Sequence, residues 1–274
     1  MGITLFGGRN VIFTDRIETG TSNDALFGGS VYLDTIKNTH VELSYGRKYG
    51  NADGDSALAR ESVGFDFSTT PISGIANFYG RLKFDTLSES FNETLFGLKV
   101  TPLQDLTLRG EYYESYPTFD AFSIYSVFAV NQYKELSIAA EYQITSKYRV
   151  SAKYAREDFS DNETADVYGI GFLARPIKGL TINASYENRV GYAASISGFR
   201  IFGEYKIARV SILAGVDYDD FRRDDSRNGY AKKYWAGADY EFNKYISAVV
   251  RLENNVNFSY ENSYQGFAAI NLKY

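Results

Sequence analysis

The segment Leu180-Thr181-Ile182-Asn183-Ala184-Ser185-Tyr186-Glu187 alternates an apolar with a polar residue at every step. Successive side chains of a β-strand point to opposite faces, so this period of two indicates a strand with one apolar and one polar face. The same period recurs along much of the chain, in segments 41–46, 136–143, 149–154, 209–217 and 246–253. A helical period is nowhere sustained, which predicts an all-β fold.

Two kinds of break separate these segments. Short breaks with Pro, Gly or a few polar residues lie at 37–38, 70–74, 102–105, 145–147, 176–179, 207 and 243–244, as is typical of hairpin turns. Mostly longer and more polar breaks alternate with them, at 50–56, 87–90, 160–163, 191–193, 222–228 and 257–261. Because the two kinds alternate, we expect each to gather at one end of an antiparallel up-and-down sheet.

The alternation of breaks also sets the number of strands. A strand at 121–130 would place the short turns before it and after it at opposite ends of the sheet, so we interpret 115–134 as one long connection. A further strand near residues 5–18 then gives about sixteen strands, with 14 or 18 as alternatives, and puts both termini on the short-turn side. An even number is the rule for single-chain bacterial barrels.

Composition excludes several kinds of chemistry. The 274 residues include no Cys, one His, one Met and one Trp, against 24 Tyr and 20 Phe. Without Cys there is no disulfide or Cys-based zinc site, and His40 alone cannot build a multi-histidine metal site. We therefore expect no cofactor, no bound metal and no enzymatic activity. The 34 acidic and 29 basic residues are mixed along the chain, so we expect no nucleic-acid partner.

The residues of the apolar face favour a membrane barrel over a soluble sandwich. The core of a sandwich is dominated by Leu, Ile, Val and Phe, whereas here the face often carries small residues at mid-strand and ends in Tyr, as in Val150, Ala152 and Tyr154. Tyr favours membrane interfaces, and a strand of roughly 9 to 11 residues crosses a bilayer. We predict a transmembrane β-barrel, with a soluble all-β binding protein as the weaker alternative.

The C-terminal segment 264–274 contains a Gly, alternating apolar residues and a terminal aromatic residue. It resembles the C-terminal signal of bacterial outer-membrane β-barrels, and with the repeated strands the chain resembles the porin superfamily over nearly its whole length. The resemblance implies one barrel domain over 1–274 in the bacterial outer membrane. Its partners would be outer-membrane lipid, lipopolysaccharide and the barrel assembly machinery, which would read Gly266, Ala268, Ile270, Leu272 and Tyr274.

The polar face would then form the wall of a water-filled lumen, because about sixteen strands enclose a space too wide for side chains to fill. Its charges are mixed in sign, which predicts only weak ion selectivity. The candidate pore-lining residues are Glu42, Lys48, Arg81, Lys83, Arg109, Glu111, Glu141, Arg149, Lys153, Glu187, Arg189, Arg209, Asp217, Arg251 and Glu253.

The connection 115–134 is too apolar for a solvated loop, so we expect it to pack against something. Porins fold one outer loop into the lumen, and this segment is either such a constriction or an extended hairpin at the rim. It departs from the porin pattern as the fourth rather than the third outer connection, without the acidic Pro-Glu-Phe-Gly-type motif. The constriction candidates are Tyr116, Phe119, Asp120, Phe122, Tyr125 and Phe128.

Two functions fit these features. The first is a porin-like channel for passive diffusion of small hydrophilic solutes or ions. The second is a barrel sleeve or scaffold around a partner protein, such as an electron-carrying cytochrome. A homo-oligomer, or a periplasmic or surface partner, is compatible with both. Segment 169–174 has a dinucleotide-binding spacing, but it lies inside one strand rather than at the start of a helix. His40 opens a strand beside a short turn, away from any Ser-Asp arrangement.

Overall fold

The computed structural model contains sixteen antiparallel strands in which neighbours in sequence are neighbours in the sheet. It describes residues 1–13, 19–34, 36–52, 55–72, 74–116, 132–160, 162–192, 195–222, 229–257 and 260–272. Among these residues, no helix has the length and apolar character needed to cross a membrane. The predicted all-β, up-and-down arrangement of about sixteen strands is confirmed.

The strand bounds are β1 (Gly2–Phe13), β2 (Thr19–Leu33), β3 (Thr39–Ala52), β4 (Asp55–Ile72), β5 (Ala76–Asp85), β6 (Ser90–Leu103), β7 (Leu106–Ser115), β8 (Tyr133–Thr145), β9 (Tyr148–Phe159), β10 (Thr164–Ala174), β11 (Leu180–Gly191), β12 (Ser195–Ile207), β13 (Val210–Arg222), β14 (Gly229–Asn243), β15 (Ile246–Asn257) and β16 (Tyr260–Leu272). Short turns follow the even-numbered strands β2 to β14, and the other connections follow the odd-numbered strands. We call the two ends of the strands the short-turn end and the loop end.

The chain divides into two compact units. Unit 1 comprises residues 1–102, 109–137 and 157–162, and unit 2 comprises 103–108, 138–156 and 163–274. In each unit the antiparallel register brings apolar residues opposite one another. Leu43 pairs with Val31 and Phe65 in unit 1, and Tyr186 pairs with Ile170 in unit 2. Each unit therefore has one apolar and one polar face.

Two boundaries differ from the sequence prediction. The strand expected near 5–18 begins at Gly2 and ends at Phe13, and residues 14–18 lie outside the described part of the chain. The Gly7-Gly8 pair carries no side chains, so the period of two is lost there. The long connection is also shorter than 115–134, because β7 includes Ser115 and β8 begins at Tyr133. Most of it, residues 117–131, lies outside the described residues, as does the alternative strand at 121–130.

The apolar face lacks the cover that a soluble protein would give it. The hydrophobic side chains that are buried among the described residues are small, namely Ala59, Ala155, Ala165, Val167 and Ala174. Ile138, Ile170 and Leu252 are 61%, 63% and 64% exposed. Soluble proteins rarely expose large contiguous apolar patches. This face therefore requires an apolar environment other than the protein itself.

Candidate functional site

The polar face of unit 1 carries a network of four charged side chains on β4, β5 and β6. The Arg81 Nε donates to Asp66 Oδ1 at 2.6 Å, and Arg81 Nη1 lies 3.5 Å from Glu93 Oε1. Lys83 Nζ pairs with the other oxygen of Glu93. The register places Asp66 directly opposite Arg81, and Lys83 opposite Glu93, so each pair meets across one strand boundary. Two cations and two carboxylates thereby balance each other.

A cavity of 640 Å³ opens beside this network. His40, Glu42 and Tyr79 contribute to its lining. The Tyr79 hydroxyl donates to Glu111 Oε1 at 2.6 Å, and its ring covers Gly97, where a Cβ atom would come within 2.2 Å of the ring. The absence of a side chain at Gly97 therefore allows Tyr79 to lie flat along the wall.

The polar face of unit 2 is built around the only Trp of the chain. The ring of Trp235 lies over Gly215, its partner residue on β13, where a Cβ would come within 2.5 Å of the indole. The ring of Phe202 stacks on Trp235 with centroids 5.6 Å apart, and the guanidinium of Arg251 lies 4.2 Å from the Trp235 ring centroid. This stack fixes the position of one cation on the polar face.

Other charged side chains of unit 2 lie beside charges of opposite sign. Glu253 Oε2 lies 3.3 Å from Arg251 Nη2 and 3.4 Å from Lys233 Nζ. On β8 and β9, Arg149 Nη1 donates to Glu141 Oε1 at 3.0 Å. Exposed pairs contribute at most about 1 kcal/mol each to stability. Their main effect here is to balance the charge of a face that stays in contact with water.

The opposite face of β14 shows the pattern of a membrane-facing strand. Tyr234 and Tyr240 are both exposed, and the residues between them on this face are Ala236 and Ala238. Six residues of strand span about 20 Å. The apolar band of an outer-membrane barrel is about 25 Å tall and is flanked by aromatic girdles. Because strands of such barrels are tilted by about 35–45°, the two Tyr residues lie about 15 Å apart along the membrane normal and bracket the middle of this band.

Near the loop end, the apolar face carries ion pairs. Arg156 Nη1 lies 3.5 Å from Asp166 Oδ1, to which the Tyr154 hydroxyl donates at 2.8 Å. In unit 1, Arg47 Nε lies 3.5 Å from Glu61 Oε1. These ion pairs of the apolar face thus lie near the loop end of the strands rather than at their middle.

No protein-family model matches the sequence, and a search of curated proteins finds no relative. Solved structures do match. A loop-deletion mutant of OmpT, an outer membrane protein of Vibrio cholerae, has a TM-score of 0.55 at 12% identity and covers 98% of this chain and 96% of its own. A bacterial polysaccharide outer membrane secretin has a TM-score of 0.54 at 10% identity, covering 99% of this chain and 98% of its own. A mutant of the Rhodopseudomonas blastica porin has a TM-score of 0.52 at 13% identity, covering 100% and 99%.

The chain has the porin-barrel fold. The predicted resemblance to bacterial outer-membrane β-barrels is confirmed at the level of the fold. In such barrels the apolar side chains face lipid and the interior is polar. In each unit the contrast between the polar face and the exposed Ile, Leu, Ala and Tyr side chains of the apolar face matches this arrangement.

All candidate pore-lining residues except Arg209 lie in strands on the polar face. Arg209 does not, because the hairpin closes at the pair Ile207–Val210 and leaves Arg209 in the turn. Its Nη1 donates to the carbonyl oxygen of Phe242 at 2.9 Å. The expectation that Arg209 lies in a strand, with its side chain on the polar face, was therefore wrong.

The structure describes four of the five assembly-signal candidates and one of the six constriction candidates. Of the assembly-signal candidates, Gly266, Ala268, Ile270 and Leu272 share the apolar face of β16, and Tyr274 lies outside the described residues. Of the constriction candidates, Tyr116 is exposed directly after β7. The remaining ones lie outside the described residues, namely Phe119, Asp120, Phe122, Tyr125 and Phe128.

His40 lies at the short-turn end, as expected. Its Nδ1 is 2.6 Å from Asp34 Oδ1 and its Nε2 is 3.6 Å from Glu42 Oε2. A search of the described residues finds no group of three His, Asp or Glu side chains arranged to hold a metal ion. His40 thus takes part in a small hydrogen-bonded cluster at the edge of the polar face.

The sequence analysis missed Asp66, Glu93 and Trp235. The two carboxylates lie on the polar face and complete the unit 1 network, but their partners are set by strand register rather than by spacing in the chain. Trp235 lies among polar residues in an alternating strand. The signal that could have found it is the Gly on the neighbouring strand, which again requires the register.

Proposed function

We propose that this protein is a porin-like channel of the bacterial outer membrane, through which small hydrophilic solutes or ions diffuse passively. The observation that carries the proposal is the contrast between the two faces of the strands. Large apolar side chains are exposed on one face, while the other holds balanced pairs of charges in contact with water. Such a wall is stable only with lipid on one side and water on the other. The outer-membrane proteins that share the fold support this assignment.

The balanced charges also support weak selectivity. Asp66, Arg81, Glu93 and Lys83 sum to zero in unit 1, as do Glu141 and Arg149 in unit 2. Exposed charges are screened over about 10 Å at 0.1 M salt. Because each pair sums to zero and its remaining field is screened beyond about 10 Å, a solute in the middle of the lumen experiences little net field, and we expect cations and anions to permeate at similar rates.

The ion pairs of the apolar face support an orientation and a lipid partner. Arg156 with Asp166, and Arg47 with Glu61, lie toward the loop end of the strands. Polar headgroups tolerate such charges, whereas the hydrocarbon region does not. Outer-membrane barrels have short periplasmic turns and longer extracellular loops, so we propose that the loop end lies at the outer leaflet, where these ion pairs would meet lipopolysaccharide, and that the short-turn end faces the periplasm.

The proposal includes no catalytic step and no bound cofactor. The sleeve around a cytochrome is not carried forward, because no observation in the described residues favours it. Constriction by residues 115–134, recognition of the last strand by the assembly machinery and self-association stay predictions from the sequence.

Planar-bilayer recording of the detergent-extracted, folded protein tests the proposal. We expect steady ohmic current steps and a cation-to-anion permeability ratio near one in a KCl gradient, with heat-unfolded protein as the control. Silence from protein shown to be folded would contradict the channel. Strong selectivity would instead contradict the balanced wall.

A further inference from the structure

Basic side chains gather at the short-turn end of unit 2. The connections after β8 and β10, together with the end of β12, bring Lys147, Arg175, Lys178 and Lys206 around a cavity of 460 Å³. Glu204 is the only carboxylate in its lining. All four basic residues are exposed. The cavity is therefore positively charged, although the whole chain has a net charge of −5.

Backbone hydrogen bonds join the connection after β10 to the connection after β8 and to the end of β12. The Arg175 amide donates to the Lys147 carbonyl at 2.8 Å, and the Lys206 amide donates to the Gly179 carbonyl at 2.8 Å. Gly179 has a φ of +84°, and a Cβ there would lie 2.3 Å from the Lys206 carbonyl oxygen. Only Gly permits both this conformation and this approach. These contacts fix the backbone from which the basic side chains extend.

Much of this positive charge has no carboxylate beside it. Lys147 Nζ donates to the carbonyl oxygen of Pro176 at 3.0 Å, which holds the ammonium group in place without neutralising it. Within the described part of unit 2, Arg175 and Lys178 form no ion pair. This differs from the strand walls, where the charges pair across neighbouring strands.

The lining of the cavity includes residues of the polar face as well as Ile177 and Leu180. Thr181 and Glu204, which line it, are register partners on the polar side of β11 and β12. Lys206 shares that side and retains Glu241 as a partner at 3.2 Å. A molecule in the cavity would therefore be accessible from the polar face through Thr181, Glu204 and Lys206.

We propose that this cavity binds small anions that carry phosphate groups, at the periplasmic mouth of the channel. The inference deepens the proposed function, on which it rests, by naming a class of solute. A phosphate oxyanion can accept hydrogen bonds from several donors at once, and the Arg175 guanidinium matches it in a bidentate manner. A volume of 460 Å³ lies in the range of small-ligand sites, roughly 300–1,000 Å³. Lys147 and Lys178 supply the remaining charge.

Equilibrium dialysis of inorganic pyrophosphate against the full chain in zwitterionic detergent tests the site. The test variant combines Lys147→Gln, Arg175→Gln and Lys178→Gln. A matched control removes the same charge from the same end of the strands, outside the cavity, by Lys37→Gln, Lys99→Gln and Lys244→Gln. We expect the test variant to bind pyrophosphate about tenfold more weakly, because each exposed ionic contact contributes a small but additive part. The control variant should bind like the wild type, and 1 M KCl should abolish binding.

Equal affinity in the test variant and the wild type would overturn the proposal, as would an equal loss in the control. Displacement of pyrophosphate by phosphatidylglycerol added to the micelles would identify a lipid headgroup as the occupant and overturn the assignment to a solute. Bilayer recording keeps this result separate from the channel. Pyrophosphate binding without conductance would support the anion site and contradict the channel. Conductance without pyrophosphate binding would support the channel and contradict the anion site.

Discussion

The substitution Val250→Arg places a charge on the apolar face of β15. Val250 is 51% exposed and lies opposite Ala238 of β14. Along β14, Ala238 is two residues from Tyr240 and four residues from Tyr234. Its side chain thus falls inside the band that the two Tyr residues bound. The preceding residue, Val249, has the same side chain on the polar face, opposite Asp239. The two positions form a matched pair.

The expected cost follows from the depth of each position. An Arg on the lipid face of a barrel costs about 2–4 kcal/mol at the bilayer midplane and less toward the interfaces. Val250 lies between the levels of the two Tyr residues and nearer to Tyr240 than to Tyr234, so we expect Val250→Arg to destabilise the folded barrel by about 2–3 kcal/mol. Val249→Arg places the same charge beside Asp239 in water and should change stability by less than about 1 kcal/mol.

Urea titration of folding into lipid vesicles measures the difference, with intrinsic fluorescence as the signal. The two variants should differ by about 1–3 kcal/mol, or about 5- to 150-fold in their folding equilibrium constants, since 1.4 kcal/mol corresponds to a factor of ten. Equal destabilisation by the two substitutions would refute the assignment of the faces. A larger cost for Val249→Arg would reverse it.

Three further predictions concern the polar face. Gly215→Ala should push the ring of Trp235 away from β13 and shift the Trp fluorescence to longer wavelength. Gly203→Ala should leave the spectrum unchanged, because a Cβ there would lie 4.0 Å from the nearest atom, the carbonyl oxygen of Ala214. Identical spectra of the two variants would contradict the packing of Trp235 on Gly215. Glu253→Gln removes the carboxylate shared by two cations and should raise anion permeability in a KCl gradient, without a loss of more than about 1 kcal/mol in stability. Raising the salt from about 0.1 M to 1 M should remove most of that shift, and a shift that persists would show that screening does not govern it.

The fold could be predicted from the sequence because its decisive signal is local. The alternation in Leu180–Glu187 requires no knowledge of neighbouring strands, and the alternation of short and long breaks gives the strand order. Prediction failed where that signal disappears. Gly7-Gly8 hides the period in β1, and the apolar residues of 115–134 obscured where β7 ends and β8 begins.

The contacts within the polar face could not be predicted, because they depend on register. The alternation places Arg81 on the polar side, but only the pairing of β4 with β5 puts it opposite Asp66. Arg209 was assigned to a strand for a similar reason, since the two-residue turn that holds it is set by the Ile207–Val210 pair. The basic cavity likewise joins turns that are distant in sequence.

The central claim is that one face of each strand meets water in a conducting lumen while the other meets lipid. The chain has no Cys, so single-cysteine variants report one position at a time. Arg251→Cys and Leu252→Cys lie next to each other on opposite faces of β15. During bilayer recording, a membrane-impermeant charged thiol reagent should label Arg251→Cys and reduce its current steps, while Leu252→Cys stays unlabelled and its current unchanged. Equal labelling of the two variants, or labelling of Leu252→Cys alone, would contradict the account.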